Sequence, residues 1–84
     1  MKTFEKVALI LSELCEVEEI SAENALQADL GLDSLQMVTL LMILEEKFEI
    51  VLDESDMNPF DLIRVQDVIR LVERYTGEEN ETED

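Results

Sequence analysis

Three stretches of this chain carry apolar residues at helical spacing. Phe4, Val7, Ala8, Leu11, Leu14 and Cys15 recur every three or four positions, one face of an amphipathic helix over roughly residues 3–15, with Thr3 as its cap. Residues 34–49 form the second helix, and they carry two stripes: Met37, Leu40, Leu41, Leu44 and Phe48 on one side, Leu35, Val38 and Met42 on another. Between Gln36 and Leu44 there is no charge. A helix apolar nearly all round is ordinarily buried on every side, yet a small bundle cannot surround one of its own helices. We assign the Met37–Phe48 stripe to the core and the Leu35–Val38–Met42 stripe to a candidate docking surface; the alternative is that the second stripe only covers the preceding loop. Val65, Val68, Ile69, Val72 and Tyr75 mark a last helix ending before Gly77. Its start is weakly signalled, with Asp61 as the available cap.

The intervening segments read as connections. Residues 16–33 are long for a loop in a small domain, which points to a function or to packing of its own. Val17, Ile20, Leu26, Leu30 and Leu32 can anchor it, while Glu16, Glu18 and Glu19 form a solvated run. Asp53-Glu54-Ser55-Asp56 followed by Met57-Asn58-Pro59 predicts a short helical turn ended by the proline. Ile50-Val51-Leu52 is β-prone but too short and isolated for a sheet. The expected fold is therefore all-α: a small bundle of three main helices plus one short helix, with a long loop between helices 1 and 2. Residues 1–77 make the domain, and residues 78–84 a disordered acidic tail.

Composition then narrows the chemistry. The formal charge is −16, from 22 acids against 6 basic residues. Nucleic acid and anionic membrane are poor partners for such a surface, and basic protein patches are good ones. The absence of histidine removes the commonest acid–base catalyst and metal ligand. The single cysteine, Cys15, continues the first apolar stripe, so it reads as a core thiol in a reducing compartment. No secretory leader is visible, and no apolar run approaches the roughly 20 residues of a membrane span, so a cytoplasmic location is expected. A calcium loop starting at Asp29 fails, because its sixth position would be Ser34 and its twelfth Leu40. An acid-catalysed hydrolase has neither pocket nor base in view.

One serine stands apart. In Asp29-Leu30-Gly31-Leu32-Asp33-Ser34-Leu35, Gly31 permits a tight turn, Asp33 is a good N-cap, and Gln36 three residues on completes a capping box. Leu32 and Met37 fall at the two positions of a hydrophobic staple. Ser34 is then the first helical residue, at the positive end of the helix dipole, where an attached anion is favoured by about 0.3–1 kcal/mol.

That heptad, followed by Val38, Leu40 and Glu45-Glu46-Lys47-Phe48, resembles the acyl carrier proteins, and the likeness extends weakly from about Phe4 to about Tyr75. The resemblance implies that Ser34 is esterified with 4′-phosphopantetheine taken from coenzyme A, whose terminal thiol carries acyl intermediates as thioesters in fatty-acid or related biosynthesis. Ser34 would be a substrate and the chain a monomeric shuttle, not an enzyme. An external phosphopantetheinyl transferase, which uses a divalent metal, would activate the hydroxyl with Asp33 as a contact. Leu35, Val38, Thr39, Met42, Glu45 and Glu46 would meet acyl-loading and acyl-processing enzymes through their basic patches.

The departures bear on partners. Gln36 and Thr39 stand where many fatty-acid carriers have acids, Arg64 where threonine is frequent, and the segment from Phe48 to Val65 is a little longer. A specialised polyketide, peptidyl or D-alanyl carrier stays open, although Leu32-Asp33 before the serine differs from the Gly-Gly-His or Gly-Gly-Asp frequent in peptidyl carriers. A reading from another class also stands: an unmodified acidic module that binds a basic partner through Leu35, Val38 and Met42.

Overall fold

Local signals set where each helix begins and stops. The computed structural model describes residues 2–77; the expectation for residues 78–84 lies outside them. The elements are α1 (Thr3–Cys15), α2 (Ser34–Phe48) and α3 (Val65–Thr76), with two 3-10 turns, Glu54–Asp56 and Pro59–Asp61, between α2 and α3. The fold is all-helical as expected, and no strand forms among the described residues beyond one isolated antiparallel bridge, Ala25–Arg64.

Three local expectations need correction. Thr3 does not cap α1: Lys2 holds that position, and Thr3 is the first helical residue, buried, its hydroxyl without a partner among the described residues. A lysine side chain cannot accept a hydrogen bond, so the end is closed from inside the helix, where the Glu5 carboxylate accepts from the Lys2 N–H at 3.2 Å. At α3 the same device appears, and Asp61 takes no part. One Asp67 oxygen accepts from both Ile63 N–H (3.0 Å) and Arg64 N–H (2.9 Å). Finally, Pro59 begins the second 3-10 turn instead of ending a single short helix. Its missing N–H costs nothing at a first-turn position.

The core joins all three helices. Val7 and Leu11 of α1, Met37, Leu40, Leu41 and Leu44 of α2, and Val65, Val68 and Val72 of α3 are essentially inaccessible to water. The long loop contributes Leu26, Leu30 and Leu32, each buried, while Val17 and Ile20 pack partly against the cluster. Glu16, Glu18 and Glu19 are exposed.

Main-chain bonds fix that loop as firmly as its apolar anchors do. Ala22 O and Asn24 O accept from Gln66 N–H (2.9 Å) and Val65 N–H (3.0 Å), so loop carbonyls satisfy the first orphan donors of α3. Leu26 N–H donates to Ile63 O at 2.8 Å, and the Arg64 guanidinium donates to Glu23 O at 2.7 Å. The loop is long because it travels from the end of α1 past the start of α3 before it reaches α2.

The tyrosine of α3 has a larger part than packing. The Tyr75 hydroxyl accepts from Asp53 N–H at 2.8 Å and donates to the Asp56 carboxylate, whose other oxygen meets Arg74 at 3.1 Å. The hydroxyl is thus a clasp between α3 and the first 3-10 turn. Its pKa is pushed up, chiefly because the donated bond to Asp56 favours the neutral phenol.

Candidate functional site

The turn before α2 is built to present one side chain. Asp29 folds back on its own loop: its carboxylate accepts from Ala25 N–H at 2.8 Å, while Asp29 N–H and Leu30 N–H donate to Ala25 O. Gly31 closes the turn with φ of 78°, a left-handed conformation that glycine adopts without penalty. Leu32 then bonds back to Leu26 O at 3.1 Å and buries its side chain. Asp33 is extended and caps α2: its Oδ1 accepts from Gln36 N–H at 2.8 Å, and Gln36 Oε1 accepts from Asp33 N–H at 3.1 Å. Met37, four residues into the helix, is buried like Leu32, as a staple requires.

Ser34 is thus held from both sides while it faces solvent itself. It is the first residue of α2 and is exposed. The N–H groups of Ser34 and Leu35 precede any carbonyl that the helix could offer them. No acidic residue follows in the first turn of α2, so the dipole there is offset only by the capping Asp33. An anionic group on the Ser34 hydroxyl would meet free donors beside the Asp33 carboxylate, which is already bonded to Gln36 N–H, and the residues present fit a phosphodiester.

Beyond Ser34, the second stripe of α2 lies at the surface. Leu35 is 75 % exposed, Val38 41 % and Met42 59 %. The loop does not cover them; its own leucines lie in the core. Thr39 is half-buried and donates its hydroxyl to Leu35 O at 3.0 Å, one turn back. The two glutamates differ. Glu46 is exposed, but Glu45 is half-buried and its Oε2 accepts from Leu52 N–H at 2.8 Å, anchoring the chain as it leaves α2.

Two further exposed apolar residues, Phe60 and Ile63, went unassigned at the level of sequence. Ile63 O binds Leu26, and Leu26 O binds Leu32, so Ile63 is two main-chain bonds from the turn that carries Ser34. The only available signal was their place in Pro59-Phe60-Asp61-Leu62-Ile63, of which Leu62 alone is buried. Cys15 is half-buried, and desolvation pushes its thiol pKa up, away from the reactive thiolate.

A small helical domain with an exposed serine at the head of its central helix is the arrangement that the resemblance to acyl carriers implies. Comparison with known proteins gives the family. Residues 5–72 match the phosphopantetheine attachment site family. The acyl carrier protein of Campylobacter jejuni subsp. doylei is 36% identical over 75 residues, covering 87% of this chain and 95% of that protein. That of Campylobacter concisus is 37% identical over 76 residues, covering 88% and 96%, and that of an Exiguobacterium species 40% identical over 58 residues, covering 69% and 71%. The chain belongs to the acyl carrier protein family, and 4′-phosphopantetheine is its covalently attached cofactor. Membership favours the carrier over the unmodified interaction module.

Proposed function

We propose that Ser34 carries the phosphopantetheine and that the chain shuttles acyl groups between enzymes without catalysing their chemistry. When bound, the arm supplies a thiol that holds the acyl group as a thioester. This chain's own residues do the positioning. Asp33 and Gln36 fix the start of α2, the helix dipole favours the phosphodiester, and the Leu35–Val38–Met42 stripe offers apolar surface beside it. The observation that carries the reading is the exposed Ser34 hydroxyl at the first helical position, inside an otherwise satisfied capping box.

Intact mass after incubation with coenzyme A and a broad-specificity phosphopantetheinyl transferase tests it. The wild-type chain should gain one phosphopantetheine and Ser34→Ala none. An Ala variant that is still modified would move the site elsewhere.

The same reading gives Asp33 a second role as a contact for the transferase. Thr39, Glu45 and Glu46 would join the apolar stripe in meeting acyl-loading and acyl-processing enzymes. Residues 1–77 form the carrier domain, working as a monomer in a reducing cytoplasm, which suits a lone, unpaired cysteine. Fatty-acid or related biosynthesis is the first reading of the pathway, resting on the likeness of the Asp29–Leu35 heptad to acyl carriers. A specialised carrier is the second reading, supported by neutral Gln36 and Thr39 in the first turns of α2 and by exposed Phe60 and Ile63. Rates of malonyl against aminoacyl or D-alanyl loading, each by its own class of loading enzyme, separate the two.

A further inference from the structure

A second surface is built from the N-terminal part of the chain alone. An open groove of about 900 Å³ runs between α1 and the loop segment that follows it, and every residue lining it falls between Phe4 and Asn24. Its floor includes the half-buried side chains of Phe4 and Ile20 and the 54 % exposed Leu9. Glu5 on the helix and Glu18 and Glu19 on the loop stand at its rim, all three exposed. No cation lines it. Lys6, next in sequence to Glu5, does not turn back to neutralise that rim, because its ammonium lies over the Phe48 ring, 4.9 Å from the centroid. An apolar floor between carboxylates on both walls, with no cation in the lining, is complementary to one kind of ligand: a surface with an apolar ridge flanked by lysines or arginines.

The shape narrows the partner further. Beyond its first turn the helical wall presents side chains over main chain bonded within α1, which suits a helix laid in a groove and not an added strand. With its 13 residues, α1 is roughly 20 Å long, so a partner helix of about four turns would span it. We infer that this groove is a second docking site, for a cationic amphipathic helix of a protein partner. It shares no residue with α2, so a partner held there leaves Ser34 and its neighbouring stripe available to another enzyme. Such tethering would raise the effective concentration of the carried group at enzymes attached to the same partner.

The inference does not depend on Ser34, and its test uses the unmodified full chain. The probe is a 15-residue helical peptide of leucines and lysines arranged as one apolar and one basic face, titrated into the ¹⁵N-labelled protein. Amide shifts should centre on Ala8, Leu9 and Ile20. Leu9→Lys, and separately Glu18→Lys with Glu19→Lys, should each weaken binding about tenfold. Val51→Lys, the same charge change as Leu9→Lys at a residue 84 % exposed and outside the groove, should leave affinity within about twofold. A scrambled peptide of equal charge should bind at least tenfold more weakly than the amphipathic one. Absence of binding, shifts centred on Leu35–Met42, equal affinity for the scrambled peptide, or equal losses from Leu9→Lys and Val51→Lys would each overturn the assignment. Because Leu9 is largely exposed, its variant should retain the wild-type melting temperature, and Glu18→Lys with Glu19→Lys reads the same groove without altering the apolar floor.

Discussion

Asp33 and Gln36 hold each other's main chain: the aspartate carboxylate binds the Gln36 N–H at 2.8 Å, and the glutamine side-chain carbonyl binds the Asp33 N–H at 3.1 Å. The pair encloses Ser34 and Leu35, so the direction of the Ser34 side chain is set by a loop of bonds only four residues long. Replacing Asp33 by alanine should cost about 0.5–2 kcal/mol, read by denaturant melts, and should slow transfer of phosphopantetheine. Asp33→Asn keeps an acceptor and should retain most of the stability. If its modification rate matches wild type, the carboxylate charge has no part in transferase recognition.

The exposed and buried stripes of α2 should respond oppositely to charge. Val38→Asp or Met42→Asp places a carboxylate in water and should shift stability by less than about 1 kcal/mol, while delivery to a partner enzyme falls. Leu40→Asp or Leu44→Asp puts an unpaired charge where solvent access is 0%. The expected loss is above about 4 kcal/mol, the range of exceptional substitutions, and enough to unfold a domain this small. Circular dichroism separates the pairs. With Gln36 and Thr39 neutral, partner affinity should fall only modestly between low and physiological salt. A steep fall that is insensitive to Val38→Asp would move the partner interface off α2, to acidic surface such as the α1–loop groove.

Tyr75→Phe removes both bonds of the clasp on Asp53 and Asp56 and should lower the melting temperature. The pH dependence has a definite sign. The folded phenol has its pKa raised above the ordinary value of 10.0, so its stabilising contribution is complete below pH 10 and declines as pH rises toward the folded value. Wild type should therefore lose stability across that alkaline window more steeply than Tyr75→Phe. Identical alkaline slopes would show that the hydroxyl does not couple folding to pH.

Truncation after Gly77 should leave the melting temperature within a degree or two. α3 is already closed there, with Gly77 in the left-handed conformation and its N–H bonded to Glu73 O at 2.8 Å. A drop of several degrees would mean that residues 78–84 contribute to the fold.

Much of this architecture was legible because its determinants are local. The span of α1, the start of α2 at Ser34, the stop of α3 before Gly77 and the two faces of α2 rest on spacings and caps within four residues. Such signals act whatever the rest of the chain does. The sequence by itself therefore determined three helices, a serine at the head of the central one, and a family motif around it. The tertiary structure decided what joins distant residues. It laid the loop's Ala22 and Asn24 carbonyls on the first N–H groups of α3, and it placed Arg64 on Glu23, 41 positions away. It turned Tyr75 onto Asp56, 19 positions back, and bound Glu45 to Leu52. It buried Thr3, left Phe60 and Ile63 in water, and opened the groove beside Leu9. Each of these depends on where separate elements meet, and spacing along one element carries no information about the neighbour that will satisfy or cover it.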